Sequence, residues 1–276
     1  MGIVALVLAL LFSAIQKVRA TAARAQCADQ MRQIGLALHG YHDAHKLLPP
    51  GVTTERSKSK TPFLGWPAYL LPHIEQEALW SMTGTAFGKS SHFLDPAHAE
   101  VREHVIKAVL CPADGRVAGG HQFRNYGVAF TCYLGVEGKN QVARDGALYA
   151  DSHVRFNEIT DGLSGTLLLG ERPPSANLRL GWWYAGWGQD KDGSAEMVLG
   201  TRERATHDTL VNCPAGAYRP GQLNQQCDAL HFWSLHPGGA NFVFADGSVR
   251  FLSYQAASVL DALATCAGSE AAHIPD

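Results

Sequence analysis

The feature that most constrains this chain is its beginning. The first 47 residues, Met1 to Leu47, contain no proline and stop at Pro49-Pro50. They are mostly Ala, Leu, Gln, Arg and Met, which have high helix propensity. Apolar side chains recur at Leu11, Ile15, Val18 and Ala22, then at Ala23, Cys27, Met31, Ile34, Leu38 and Tyr41. Spacings of three and four make one helical stripe with a single step in phase near Ala22-Ala23. At 1.5 Å per residue the helix is about 65–70 Å long, more than a compact head can cover. Part of it must pack elsewhere, in lipid or against other copies.

Residues 1–15 admit three readings. As a membrane span the apolar run is short, about 23 Å against a hydrocarbon core of ~30 Å. As a secretory signal peptide it lacks a basic region before the apolar run and a cleavage site after it. As an embedded helix it would be missing its first turns. Lys17 and Arg19 follow the run, and the positive-inside rule would put that side in the cytoplasm. With Arg24 and Arg32 they form a local basic collar, opposed between Gln16 and Gln33 by Asp29 alone. The whole chain has a net charge of −2, which argues against nucleic acid as a partner.

The remaining residues, 48–276, read as one β-rich head. Residues 51–65 are polar and predict an exposed loop, and 66–82 a short helical or irregular segment. Residues 95–110 predict a second helix, with Asp95 as N-cap, Pro96 at N1, and His98 and Glu103 on the solvated face. Short strands follow near 125–135 and 166–171. The segment Tyr149–Phe156 echoes Phe244–Phe251 at five of eight positions, which predicts two hairpins of one type with Asp151 and Asp246 in the turns. Gln255–Ala267 predicts a short amphipathic helix folded back on the sheet.

The six cysteines include no Cys-x-x-Cys, against a zinc ribbon. Cys213 and Cys227 flank a loop rich in Pro, Gly, Asn and Gln and are the candidate disulfide if the head is exported; two free thiols are the alternative. His236 reads first as a structural, hydrogen-bonded histidine, then as a metal ligand, and last as a base. Asp246 lies at the far end of the following strand, and Ser234 has no nucleophile elbow around it. No cofactor is expected. Glu158 with Asp161-Gly162, or Asp190 with Asp192-Gly193, offer hard oxygens for calcium, though a solvated turn explains them as well. Trp182, Trp183, Trp187 and Trp233 are a candidate ligand platform whose alternative is core.

Taken together, Leu10–Arg19, Arg24–Cys27, Gln33–His39 and Tyr41–Asp43 resemble the prepilin-type helix of a large bacterial family abundant in planctomycetes. Its carboxy-terminal signature, His-x9-Asp-Gly, is matched by His236, Asp246 and Gly247, with Gly238 and Gly239 between. Cys111–Asp114, Ile159–Thr166 and Gly170-Glu171 match in between. The resemblance covers nearly the whole chain. It implies an α+β, pilin-like fold: a helix over 1–47, with 1–15 as apolar anchor, carrying an antiparallel head over 48–276. Val4, Leu8, Leu11, Ile15, Val18 and Ala22 would then serve anchoring and assembly, and Cys27, Met31, Ile34, Leu38 and Tyr41 would pack on the head.

The implied role is structural, not enzymatic: a subunit of a type IV pilus-like or type II secretion-like pseudopilus filament at the cell envelope. Its partners would be further copies, the inner membrane and the assembly machinery, with the head extracytoplasmic. Naming of the family as a solute-binding domain suggests the alternative, an anchored binding protein for a solute or glycan. A hydrolase using His236 comes last. The chain departs from the family pattern in lacking Gly-Phe-Thr-Leu-Val-Glu, and in having Ser13 where the family has proline. The expectation is that a basic leader and that motif precede Met1 in the gene.

Overall fold

The computed structural model describes residues 2–206, 210 and 212–268, and the side chains of the first helix at Phe12 and from Ala14 onward. That helix, α1, runs Gly2–His45, about 66 Å at the standard rise. The backbone of Val4, Leu8 and Leu11 is helical, but their side chains lie outside the described set. Ile15 and Val18 are 48% and 68% exposed, and Ala22 is exposed. From Cys27 onward the stripe turns inward: Cys27, Met31 and Leu38 are fully buried, Ile34 nearly so, and Tyr41 mostly. The change comes a few residues after the phase step, because a straight helix can rest only one of the two offset stripes on the head.

The stripe lies on a five-stranded sheet. A separate hairpin pairs β1 (His121–Phe123) with β2 (Tyr126–Val128). In the main sheet, β3 (Tyr133–Val136), β4 (Leu167–Glu171), β6 (Gly239–Phe244) and β7 (Val249–Ser253) pair antiparallel, while β5 (Val198–Leu199) joins β3 in parallel, giving the order β5-β3-β4-β6-β7. Strands β3, β4, β5 and β6 are buried on both faces, and β7 is half-buried. On β6, Val243 belongs to the helix-side core with Ile34 and Leu38, whereas Ala240, Phe242 and Phe244 join Leu134, Leu167 and Leu252 on the other face. Alternate residues of a strand point to opposite faces, so β6 feeds two cores at once. Gly35 lets α1 come close, since a Cβ there would be 3.1 Å from Val243 Cγ1.

Shorter helices complete the head. These are α2 (Trp66–Tyr69) and α3 (Glu77–Lys89) within the segment after the polar loop, α4 (Ala99–Arg102), and α5 (Leu260–Leu263) near the end. The helix expected over 255–267 is reduced to a 3-10 turn at Tyr254–Ser258 and to α5, but the segment folds back as expected, burying Ala256, Leu260 and Leu263 in the second core.

Further expectations are corrected. Residues 95–110 are not one helix: Asp95 does cap the start, but α4 ends at Arg102. The His104 carbonyl instead accepts from the Trp183 indole N–H at 2.8 Å, and the chain resumes only as a short 3-10 turn at Lys107–Val109. His98 is buried, not solvated, bonded to Tyr184 Oη at 2.7 Å and the Ser90 carbonyl at 2.9 Å. Of the two predicted hairpins, only Phe244–Phe251 forms. Asp151 turns its carboxylate to the Thr54 N–H and hydroxyl, and Ala150 bridges Val52. The segment therefore pairs with the loop after α1, whose Gly51–Thr54 is buried; only part of the predicted 51–65 loop is exposed.

Candidate functional site

Four family-motif side chains, far apart in sequence, meet under α1. Cys27, Cys111, Glu171 and His236 are all buried, and one ligand atom from each lies within 4.8 Å of the other three. Among the described residues no other group of His, Cys, Asp and Glu gathers in this way. In the structure Cys27 and Cys111 are joined as a disulfide. His236 Nε2 lies 3.3 Å from Glu171 Oε1 and 3.5 Å from Cys111 Sγ.

Each side chain is held from behind. Cys27 is placed by the helix, and one turn on, Gln30 donates to the Lys107 carbonyl at 2.9 Å and accepts from Tyr133 Oη at 2.8 Å. Cys111 begins the Cys-Pro-Ala-Asp turn, closed by the Asp114 N–H on the Cys111 carbonyl at 3.0 Å. The Asp114 carboxylate takes two bonds from the Arg116 guanidinium and one from its backbone N–H, and the guanidinium also reaches the Pro174 carbonyl at 2.9 Å. A paired Arg–carboxylate fork is geometrically specific, and here it ties the Cys111 turn to the segment after Glu171. Glu171 ends β4, where its carboxylate accepts from the Asn241 backbone N–H at 2.6 Å and side-chain amide at 3.2 Å. His236 lies in the turn before β6. Ser234 shapes that turn by accepting from the His236 N–H at 3.0 Å and donating to the Gly239 carbonyl at 2.6 Å. The Ser234 hydroxyl is thus spent on the backbone.

Beside the cluster is a void of about 10 Å³ lined by Cys111, Cys132, Glu171, Pro173, Ser234 and Leu235. Cys132 is a free, buried thiol; burial pushes it up to about 12, so it stays protonated and inert.

The other half of the carboxy-terminal motif does different work. Asp246 Oδ1 accepts from the Ser248 N–H at 2.9 Å, and Gly247 has φ +82°, as a tight turn demands. Desolvation is the largest single influence on the Asp246 carboxyl and raises its pKa, but the hydrogen bonds from Ser248 and the nearby Arg250 together outweigh it, so the pKa is lowered. The turn docks beneath α1, where His39 Nε2 meets the Ala245 carbonyl at 3.0 Å. His236 and Asp246 therefore stand at opposite ends of β6. Gly238 takes a positive φ of +92° in the turn after His236, and Gly239 is crowded against the Leu252 carbonyl, leaving no room for a Cβ.

Elsewhere, of the two alternatives for Cys213 and Cys227, the structure has the disulfide. The candidate calcium carboxylates accept from backbone donors: Glu158 and Asp192 within their own turns, from the Arg155 and Ser194 N–H groups, and Asp161 from the distant Gly268 N–H. The four tryptophans are split. Trp183 and Trp233 are core, the latter with Gly221 against its ring. Trp182, itself buried in the core, and half-buried Trp187 line a cleft of about 440 Å³ with Phe123, Tyr126, Arg124 and Arg179. Both guanidiniums lie 5.5 Å from the centre of the Phe123 ring. Glu196 underlies the cleft, accepting from the Gly181 and Trp182 N–H groups; burial raises it to about 8.

Sequence reasoning singled out Cys27 and His236 for separate reasons and passed over Cys111 and Glu171 as ligands, because their spacing has no short-motif form. The usable signal was that each lies inside a family motif. No curated protein and no solved structure matches the chain. The family model described as "Protein of unknown function (DUF1559)" matches residues 16–258, and the chain belongs to that family.

Proposed function

We propose that the protein is a structural subunit of an envelope-attached, pilus- or pseudopilus-like filament, assembled through α1. The observation that carries this reading is the division of α1. Its Cys27–Tyr41 stripe is buried on the sheet, while Phe12, Ile15 and Val18 stand 65%, 48% and 68% exposed. Apolar side chains repeating at helical spacing and left uncovered by their own head are stabilised by burial against like helices. No helix among the described residues is long and apolar enough to cross a membrane. Photo-crosslinkers placed at Ile15 and Val18 in envelope preparations test the reading. Ladders of self-adducts are expected, and adducts to lipid alone would sink it.

One observation favours a second reading, an anchored binding protein. The cleft at Trp182 and Trp187, edged by Arg124 and Arg179, has the aromatic floor and cationic rim that suit an anionic or glycan ligand. Saturable quenching of tryptophan fluorescence that disappears in Trp187→Ala would support it, and a chain that crosslinks into ladders without any such quenching would not.

A further inference from the structure

We propose that Cys27, Cys111, Glu171 and His236, when the two cysteines are reduced, form a four-ligand site for one divalent metal ion of the zinc class, clasping α1 to the head. The inference goes beyond the filament reading and does not depend on it.

The donor set is two thiolates, one imidazole and one carboxylate, which suits zinc and excludes calcium and magnesium, whose ligands are oxygens. The geometry agrees. Bonds of about 2.3 Å to sulfur and about 2.0–2.2 Å to nitrogen and oxygen, at tetrahedral angles, put N and S about 3.6 Å apart and N and O about 3.4 Å apart. The observed separations are 3.5 Å for Cys111 Sγ to His236 Nε2 and 3.3 Å for His236 Nε2 to Glu171 Oε1. Two edges of the coordination tetrahedron are therefore already set. The four ligand atoms all lie within 4.8 Å of one another, so closure on one ion needs the two sulfurs to part to about 3.7 Å and the remaining edges to settle at about 3.6 Å.

Outer support is also in place. The two Asn241 donors orient the Glu171 carboxylate, and the Asp114–Arg116 fork fixes the Cys111 turn, the kind of backing that metal ligands need. Four protein ligands leave no open position, so the site is structural, not catalytic. Its chemistry balances simply. A dithiol reductant converts the disulfide to two thiols and becomes a cyclic disulfide itself. Binding of the ion then displaces the two thiol protons to solvent. Oxidised, the same pair of residues links α1 to the head covalently, so each state holds the helix by different bonds.

The test uses the full chain, reduced with a dithiol under denaturant and refolded with Zn(II) or Co(II), alongside an oxidised sample. The expected result is about one metal per reduced chain and none on the oxidised one, with thiolate-to-cobalt charge-transfer absorption. Cys27 and Cys111 should also be protected from alkylation. Because His236→Ala could unfold the head, Glu171→Gln is the companion variant, keeping an acceptor for the Asn241 N–H while removing the anionic ligand. It should weaken metal affinity ~10-fold or more, with helix content unchanged by circular dichroism. The proposal is overturned if the refolded, reduced chain takes up no more metal than Cys27→Ser/Cys111→Ser. Uptake indifferent to both Glu171→Gln and His236→Gln would overturn it too, as would a reduced chain that refolds neither with metal nor without.

Discussion

Single residues set the pH response of the head. Glu196 is buried beneath the cleft, and desolvation raises it to about 8 despite the Gly181 and Trp182 N–H bonds and the charge of Arg172. Glu137, buried beside Glu203, is raised well above the usual range for the same primary reason. A raised acid keeps its proton in the folded state while the unfolded chain loses it. Between about pH 4.5 and 8 the unfolded state therefore binds fewer protons, and this contribution to stability falls as pH rises. Glu196→Gln keeps an acceptor for both N–H groups and removes its share of that slope. Denaturant titrations should show the variant gaining on the parent by on the order of 3 kcal/mol between about pH 5 and pH 8. An unchanged difference across that range would show Glu196 ionised without cost. None of this could be read from Ala195-Glu196-Met197 in isolation, because burial of a carboxyl is a property of the fold around it.

Among the elements, α1 is two devices on one rod. Leu38→Ala opens a cavity between helix and sheet and should cost about 2–5 kcal/mol in chemical denaturation. Val18→Ala, on the exposed half, should change head stability by less than about 0.5 kcal/mol while weakening self-association. Equal effects of the two on stability would mean that the exposed half has its own partner within the chain. The Cys213–Cys227 bridge closes a short loop, and Cys213→Ser/Cys227→Ser should lose about 3 kcal/mol through the freed unfolded chain. That pairing was legible because its loop has no apolar period of its own. The helix expected over 95–110 was less so. Its pattern is helical, but Arg102 turns inward to the Phe93 and Gly127 carbonyls, and Trp183 takes the His104 carbonyl. Partners distant in sequence outbid the local period. The same happened at Asp151, where Thr54 captured a carboxylate that in the matching segment stays in its own turn.

For the whole molecule, the docked half of α1 and the sheet should unfold as one unit, because both cores meet on β6. Hydrogen exchange should accordingly protect α1 from about Cys27 onward to the level of β4 and β6, with faster exchange in the exposed half of the isolated chain. Uniform protection along α1 would instead indicate that assembly had already occurred. Much of this architecture is written locally. Helix propensity and a stripe at three- and four-residue spacing specify a long helix and which of its residues face the head. Alternation and an Asp-Gly turn specify the last hairpin, since these are short-range consequences of backbone geometry. The cluster of Cys27, Cys111, Glu171 and His236 is not written that way. Its members come from a helix, a turn, a strand end and a second turn, and only the packing of α1 across β4 and β6 brings them within bonding reach. Distance between residues far apart in the chain is decided by the tertiary fold, and with it the chemistry those residues can perform.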